Sequence, residues 1–264
     1  MLQEATDFSA EADELHAFLV TLAERDWSRP TTFQRWTPWD VVAHLHLYDE
    51  VSLASLAGED VFAAERAKLV GAIARGVSNA DLARERFGAL ASSELLAHWI
   101  AGARDLAAQL GESDAKRRLP WFGPDMGVRM FTTARLMETW AHGQEVYDLL
   151  RAPRVHSDRL RHIATIGVKT FGWTFANRKL APPGPPPYVR LEAPSGAIWE
   201  WNEPSETSRV SGTAVDFCRT VTQVRNVADT QLEVIGEVAQ RWMAIAQCFA
   251  GAVSDPPKPG ERTG

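Results

Sequence analysis

The chain has 264 residues, 45% of them hydrophobic and 23% charged, which is enough to bury a core in one large domain or two small ones and excludes a disordered chain. A net charge of −6 and a pI near 5.7 argue against nucleic acid as a partner, because phosphate recognition needs a basic face. No apolar run approaches the roughly 20 residues that cross a bilayer, and Met1-Leu2-Gln3-Glu4-Ala5 lacks the start of a secretory signal, so the expectation is a cytoplasmic protein with no membrane partner and a small-molecule substrate.

From Ser9 to about Asp26, residues Ala12, Leu15, Phe18, Leu19 and Leu22 recur at helical spacing and predict an amphipathic first helix ending before Trp27-Ser28-Arg29-Pro30. His16 on it has no partner in view and reads as structural. A second helix opens at Thr37-Pro38-Trp39-Asp40, where Thr37 caps, proline takes the first helical position and Asp40 completes a capping box; it runs to about Gly58. At about 100° per residue His44 and His46 point to nearly opposite sides, so one alone is expected to face the interior. His44 shares its side with Val41, Tyr48 and Ser52 and is the better candidate, whereas His46 reads as a surface group or a brace for a ligand.

Residues 59 to 90 read as helix broken at Gly76-Val77-Ser78-Asn79. Another helix follows from Ser92 or Ser93 to Leu110, with Leu95, Leu96, Trp99, Ile100, Ala103 and Leu106 on its buried face; His98 adjoins that face without a second ligand at metal spacing. The loop from Leu119 to Gly127, rich in aromatics, Pro and Gly, serves as a pocket roof or a rigid connector. It leads into the helix around Arg135-Leu136-Met137-Glu138-Thr139-Trp140-Ala141-His142-Gly143-Gln144-Glu145. Here Glu138 and His142 stand four apart, so they share a face and can converge on one ion. Arg135, Glu138, His142 and Glu145 form one polar stripe, which faces either an interior site or solvent. Glu145 reads as an exposed charge or, less simply, as a base or orienting group.

A helix from about Asp158 to Phe175 carries His162. The proline run to Pro187 is extended, so the expected organisation is a helical bundle over 1–180, a linker over 181–187, a small α+β domain over 188–252 and a disordered tail over 253–264. Tyr188 to Ala193 and Ala197 to Asn202 alternate around Pro194-Ser195-Gly196 and predict a hairpin. A helix with Ala214, Phe217, Cys218 and Val221, a strand at Leu232 to Ile235 and a last helix from Val238 to Phe249 complete the chain. Cys218 and Cys248 read as buried small side chains rather than a bridge or a nucleophile, and the ten tryptophans favour aromatic walls that suit a pocket or a core.

His44, Glu138 and His142 together offer three N/O donors on two helices of an antiparallel bundle, an arrangement that suits zinc and also iron(II), nickel or manganese. The segment Trp36-Thr37-Pro38-Trp39-Asp40-Val41-Val42-Ala43-His44-Leu45, with Glu138-Thr139-Trp140-Ala141-His142-Gly143, resembles the DinB-like superfamily and its mycothiol-dependent maleylpyruvate isomerase branch. The resemblance implies an α+β chain with an N-terminal DinB-like antiparallel four-helix bundle, extra helices and a small α+β C-terminal domain. It implies a divalent metal, usually zinc, on His44, Glu138 and His142, and mycothiol as thiol cofactor. Trp121-Phe122-Gly123-Pro124, Ala134 to Gln144 and Ala246-Gln247-Cys248-Phe249-Ala250-Gly251 are similar to an uncharacterised metal-binding subfamily that carries a wyosine-base-formation label. The chain has neither the iron–sulfur cysteines nor the basic surface of a tRNA enzyme.

In the isomerase branch the C-terminal domain supplies an essential arginine. Arg225 matches it best, with Val224 where the family usually has Gly, and Arg219 lies six residues before on what reads as the same helix. The function so implied is a metal-dependent thiol transferase or isomerase acting on an electrophilic metabolite, in which Arg225 or Arg135 holds a carboxylate or enolate oxygen. The alternatives are a metal-hydroxide hydrolase, lyase or cyclase without thiol, and a non-catalytic metal or ligand-binding module closed by His98 or His46. A monomer or homodimer is expected.

Overall fold

The computed structural model describes residues 1–262, and within them the chain divides into two compact units, Met1–Leu150 and the chain from Arg151 onward. In the first unit, α1 (Gln3–Leu19), α2 (Pro38–Ala57), α5 (Ser92–Glu112) and α6 (Val128–Leu150) form the bundle, with α2 against α5 and α6, and α1 against α5 and α6. The shorter α3 (Glu59–Ala74) and α4 (Asn79–Phe87) also pack on α2. The first helix starts earlier than its most obvious periodic residues, because Ala5 and Phe8 extend the buried face. It also stops sooner, and Glu24–Ser28 is a separate 3₁₀ turn.

The start of α2 follows its capping chemistry. Thr37 N donates to Asp40 Oδ2 at 2.9 Å, and Asp40 N donates to Thr37 Oγ1 at 3.2 Å, so two otherwise orphaned amides are satisfied. Asp40 is then clamped by Arg84 of α4 through bonds of 2.7 and 2.8 Å, which ties the helix start to its neighbour. Helices on several sides of α2 cover it nearly all round, and this overturns the expectation that only one of its two histidines is interior: His44 and His46 are both buried. His46 packs on Phe87 of α4, with ring centroids 4.7 Å apart, and lies beside Gly102 of α5. The loop before α6 is a small antiparallel ladder of β1 (Arg118–Leu119) and β2 (Met126–Gly127), with Trp121 and Phe122 between the strands.

In the second unit, α7 (Leu160–Lys169) and α8 (Phe171–Asn177) precede a four-stranded sheet. The compact units part between Leu150 and Arg151, ahead of the proline run expected to separate them. The reason is that α7 packs against α9 (Ala214–Val221) of the same unit. A Cβ on Gly167 would lie 2.8 Å from Val221 Cγ2, so the absence of a side chain permits this approach. The sheet order is β4-β3-β5-β6, with β3 (Tyr188–Glu192) antiparallel to β4 (Ile198–Trp201) around the predicted Gly196 turn. Strand β5 (Arg209–Thr213) runs parallel to β3 and antiparallel to β6 (Glu233–Ile235).

The last helix, α10 (Glu237–Met243), is shorter than expected. The tail expected to be disordered is hydrogen-bonded to its own unit where described: Gln223 Nε2 donates to the Ser254 carbonyl and Asn226 Nδ2 to the Pro257 carbonyl, each at 2.8 Å. Thr263 and Gly264 lie outside the described residues. No helix among the described residues is long and apolar enough to cross a membrane.

Candidate metal centre

α2 and α6 pack side by side, which brings His44 opposite the Glu138/His142 face of α6. His142 Nε2 is 3.2 Å and His44 Nε2 3.9 Å from the same Glu138 Oε2, and one ligand atom from each residue lies within 4.8 Å of the others. Among the described residues this is the group of His, Cys, Asp and Glu side chains with such geometry; neither His46 nor His98 joins it. His46 Nε2 lies instead 3.6 Å from Glu50 Oε1, and His98 is exposed. The side chains of His44 and His142 are 8% and 12% exposed and that of Glu138 25%, so the cluster is shielded but reachable.

Burial, reinforced by the neighbouring His142, lowers the His44 pKa to about 4, so its imidazole is neutral at physiological pH. Burial works to raise the Glu138 carboxyl, but the imidazoles of His142 and His44 beside it act the other way and hold it below the usual carboxylate range. The Nδ1 of His44 is buried with no hydrogen-bond partner, and its Nε2 is too far from Glu138 for an ordinary hydrogen bond. A neutral imidazole that spends neither nitrogen on a hydrogen bond, next to an ionised carboxylate and a second imidazole, is a donor set that fits a divalent cation.

An aromatic shell surrounds the imidazoles. Trp36 stacks on His142 at 5.4 Å with planes 14° apart and lies 4.9 Å from His44; Phe33 meets His142 edge-on at 5.3 Å. Tyr48 lies 4.8 Å from His44, its hydroxyl donates to Asn79 Oδ1 at 3.0 Å, and burial pushes its pKa up to about 12. Phe33 and Trp36 flank a tight turn in which Gln34 and Arg35 have φ of 48° and 60°. Left-handed backbone costs an L-residue roughly 1–2 kcal/mol, and neither residue is one of the Gly or Asn that usually fill such positions.

The structure places the two predicted arginines differently. Arg135, 3% exposed, donates from Nε to Asp49 Oδ1 at 3.0 Å and from Nη2 to the Leu45 carbonyl at 3.4 Å, so its guanidinium is already engaged inside the bundle. Asp49 sits five residues beyond His44, and its carboxyl is pushed up to about 6 by burial, against the pull of Arg135. Glu145, read as exposed, is 2% exposed, because α6 is covered on the side it occupies. Arg225 belongs to the second unit, beyond the end of α9 rather than on it; it is buried, and its Nη1 donates to the Val224 carbonyl at 3.0 Å. Arg219 is on α9, 3.8 Å from Asp216. Both cysteines are free and buried, and burial raises the Cys218 thiol well above its ordinary value. Sequence reasoning missed Asp49 and the roles of Phe33 and Trp36; the signal for the latter was the run of aromatics directly before the α2 cap.

Comparison with known proteins agrees with this architecture. The family model described as the mycothiol maleylpyruvate isomerase N-terminal domain matches residues 8–147, the stretch that carries all three clustered residues. An uncharacterized protein of Mycobacterium tuberculosis, found in strains CDC 1551 and H37Rv, is 39% identical over 245 residues, covering 93% of this chain and 94% of that protein. The crystal structure of the mycothiol-dependent maleylpyruvate isomerase shares the fold with a TM-score of 0.51 at 16% identity, over 83% of this chain and 87% of that one. A histidine-to-alanine mutant of that isomerase gives the same TM-score of 0.51 at 13% identity. With its N-terminal bundle matched through the whole of the His44/Glu138/His142 cluster, the chain belongs to the mycothiol maleylpyruvate isomerase N-terminal domain family.

Proposed function

We propose that the chain is a divalent-metal-dependent enzyme that acts on a small electrophilic metabolite with a low-molecular-weight thiol of the mycothiol type, as a transferase or isomerase. The observation that supports this reading is the convergence of His44, Glu138 and His142 from two helices, in a chain of this family, with no fourth donor among the described residues. Two imidazoles and a carboxylate suit zinc, and iron(II), nickel and manganese share that preference. Held by these three residues, a divalent ion would supply thiol activation, stabilising a bound thiol as thiolate at neutral pH.

The chain's own residues set the conditions for that chemistry. His44 stays neutral and keeps a nitrogen lone pair for the ion, because its folded pKa lies at about 4. Glu138 brings a single negative charge, so the loaded site retains a positive balance that favours an anionic sulfur. Phe33, Trp36 and Tyr48 exclude water from the imidazole side of the cluster and strengthen its electrostatics. Arg135 is engaged by Asp49, so its role is to position α6 against α2. Holding a substrate carboxylate or enolate oxygen is the role that the family resemblance implies for Arg225.

The test is metal analysis by mass spectrometry on the purified chain and on His44→Ala, followed by calorimetric titration with mycothiol. The expected result is about one metal per chain, lost in the variant, together with heat of thiol binding. Metal without thiol binding would replace the thiol reaction with metal-hydroxide chemistry. No metal in either protein would reduce the cluster to bundle packing.

A further inference from the structure

Metal-binding histidines are ordinarily held in plane by a hydrogen bond from the ring nitrogen that does not face the ion. His44 has no such bond: its Nδ1 is buried and unpartnered. The imidazole torsion is intrinsically broad, so some other contact has to set its plane. The neighbours in reach are rings. Trp36 lies against both imidazoles, nearly parallel to His142, and Phe33 sits beside this pair, edge-on to Trp36 at 5.0 Å and to His142 at 5.3 Å.

Both rings are delivered by one turn. Trp36 N donates to the Phe33 carbonyl at 2.8 Å, closing a four-residue turn whose two central residues, Gln34 and Arg35, are both left-handed. That is the mirror-image turn usually made by Asn-Gly, built here from two long side chains. Its ends are pinned: Thr31 N donates to the Trp36 carbonyl at 2.7 Å and Thr31 Oγ1 to the Phe33 carbonyl at 3.3 Å. No slack follows it, since Thr37 is the cap of α2, the helix that carries His44. Strained backbone that the surroundings hold in place, directly beside a cluster of donors, is the pattern expected where geometry serves a site.

We infer that the Phe33–Trp36 turn is a positioning device for the metal centre: its left-handed backbone sets Trp36 against His44 and His142, and the indole, with Phe33 edge-on beside it and His142, fixes the imidazole planes that face Glu138. Trp36 is a positioning residue that acts through the two histidines. The inference rests on the metal-centre reading given above.

The experiment is titration of metal-free full-length protein with cobalt(II) chloride, read by calorimetry and by the visible ligand-field spectrum at saturation, with circular dichroism to confirm folding. Trp36→Ala is expected to bind cobalt at least tenfold more weakly and with an altered spectrum, and Trp36→Phe to recover most of the affinity. Arg35→Gly, which accepts positive φ freely, is expected to bind as wild type does, while Arg35→Val, which resists it, binds more weakly. Wild-type affinity and spectrum in Trp36→Ala would overturn the inference and leave the metal centre standing. If Trp36→Ala does not fold, the Arg35 pair decides, and equal cobalt affinity in Arg35→Gly and Arg35→Val overturns it. Failure of the wild-type chain itself to bind cobalt would sink the metal-centre reading and this inference together.

Discussion

Asp49→Ala leaves the Arg135 guanidinium without its counter-charge at a position where the arginine is 3% and the aspartate 1% exposed. Exposed ion pairs contribute about 0–1 kcal/mol, but stripping one partner from a buried pair leaves a charge that neither water nor protein solvates, at about 3–5 kcal/mol. The lost bond is the 3.0 Å contact from Arg135 Nε to Asp49 Oδ1, and the 3.4 Å bond to the Leu45 carbonyl cannot replace a charge. Removing both charges, as in Asp49→Leu with Arg135→Met, restores an apolar contact between α2 and α6 and is expected to cost far less than the single change. Urea unfolding of the full-length chain, followed by tryptophan fluorescence, measures both values. A loss below about 1 kcal/mol in Asp49→Ala, or a double variant as damaged as the single, would refute the argument that this pair is cut off from solvent.

Glu138→Gln keeps the shape of the side chain but removes the carboxylate shared by both imidazoles, and metal analysis should find the ion lost; retention at unchanged affinity would take Glu138 out of the donor set. Thr37→Ala removes the cap of α2 and is expected to cost about 1 kcal/mol in the same urea assay. Burial first, then His98 and Arg86, lowers the His46 pKa to about 4, so between pH 6.5 and about 4 the unfolded chain takes up a proton that the folded chain refuses. Stability from this group is therefore full above pH 6.5 and falls as pH drops, by roughly 1.4 kcal/mol per unit within the window, and His46→Gln should flatten that part of the pH–stability curve.

The donor cluster was legible because its parts are local. An i,i+4 pair on α6 and a capped, apolar helix around His44 are patterns of single helices, and the bundle only had to bring two of them together. The N-terminal cap of α2 and the β3/β4 hairpin were legible for the same reason, resting on Thr37 to Asp40 and on Gly196. What escaped depended on contacts distant in sequence. His46 and Glu145 read as surface because each was judged by its own helix face, whereas neighbouring helices cover those faces. Strand β5 offers one fully buried residue, Val210, and gains its identity from lying beside β3. Asp49 gave no sign of its partner, since Arg135 lies 86 residues away. The limits of the second unit turn on Gly167 meeting Val221, a contact that no proline run announces.

His44 is on the second helix and its two companions are on the last helix of their unit, and this separation governs when the site exists. As the chain leaves the ribosome, the first imidazole emerges with α2, while Glu138 and His142 follow only after α5 and the β1/β2 ladder. A nascent chain therefore offers an incoming ion one nitrogen, and the complete set appears only when α6 docks and closes the bundle. An ion that needs all three donors binds the finished unit and ignores its precursors, so its binding energy is added to the folded state alone, by an amount that grows with the logarithm of free metal concentration. Under the metal-centre proposal, metal supply would favour chains that have seated α6, and chains that have not would gain nothing from the same ion.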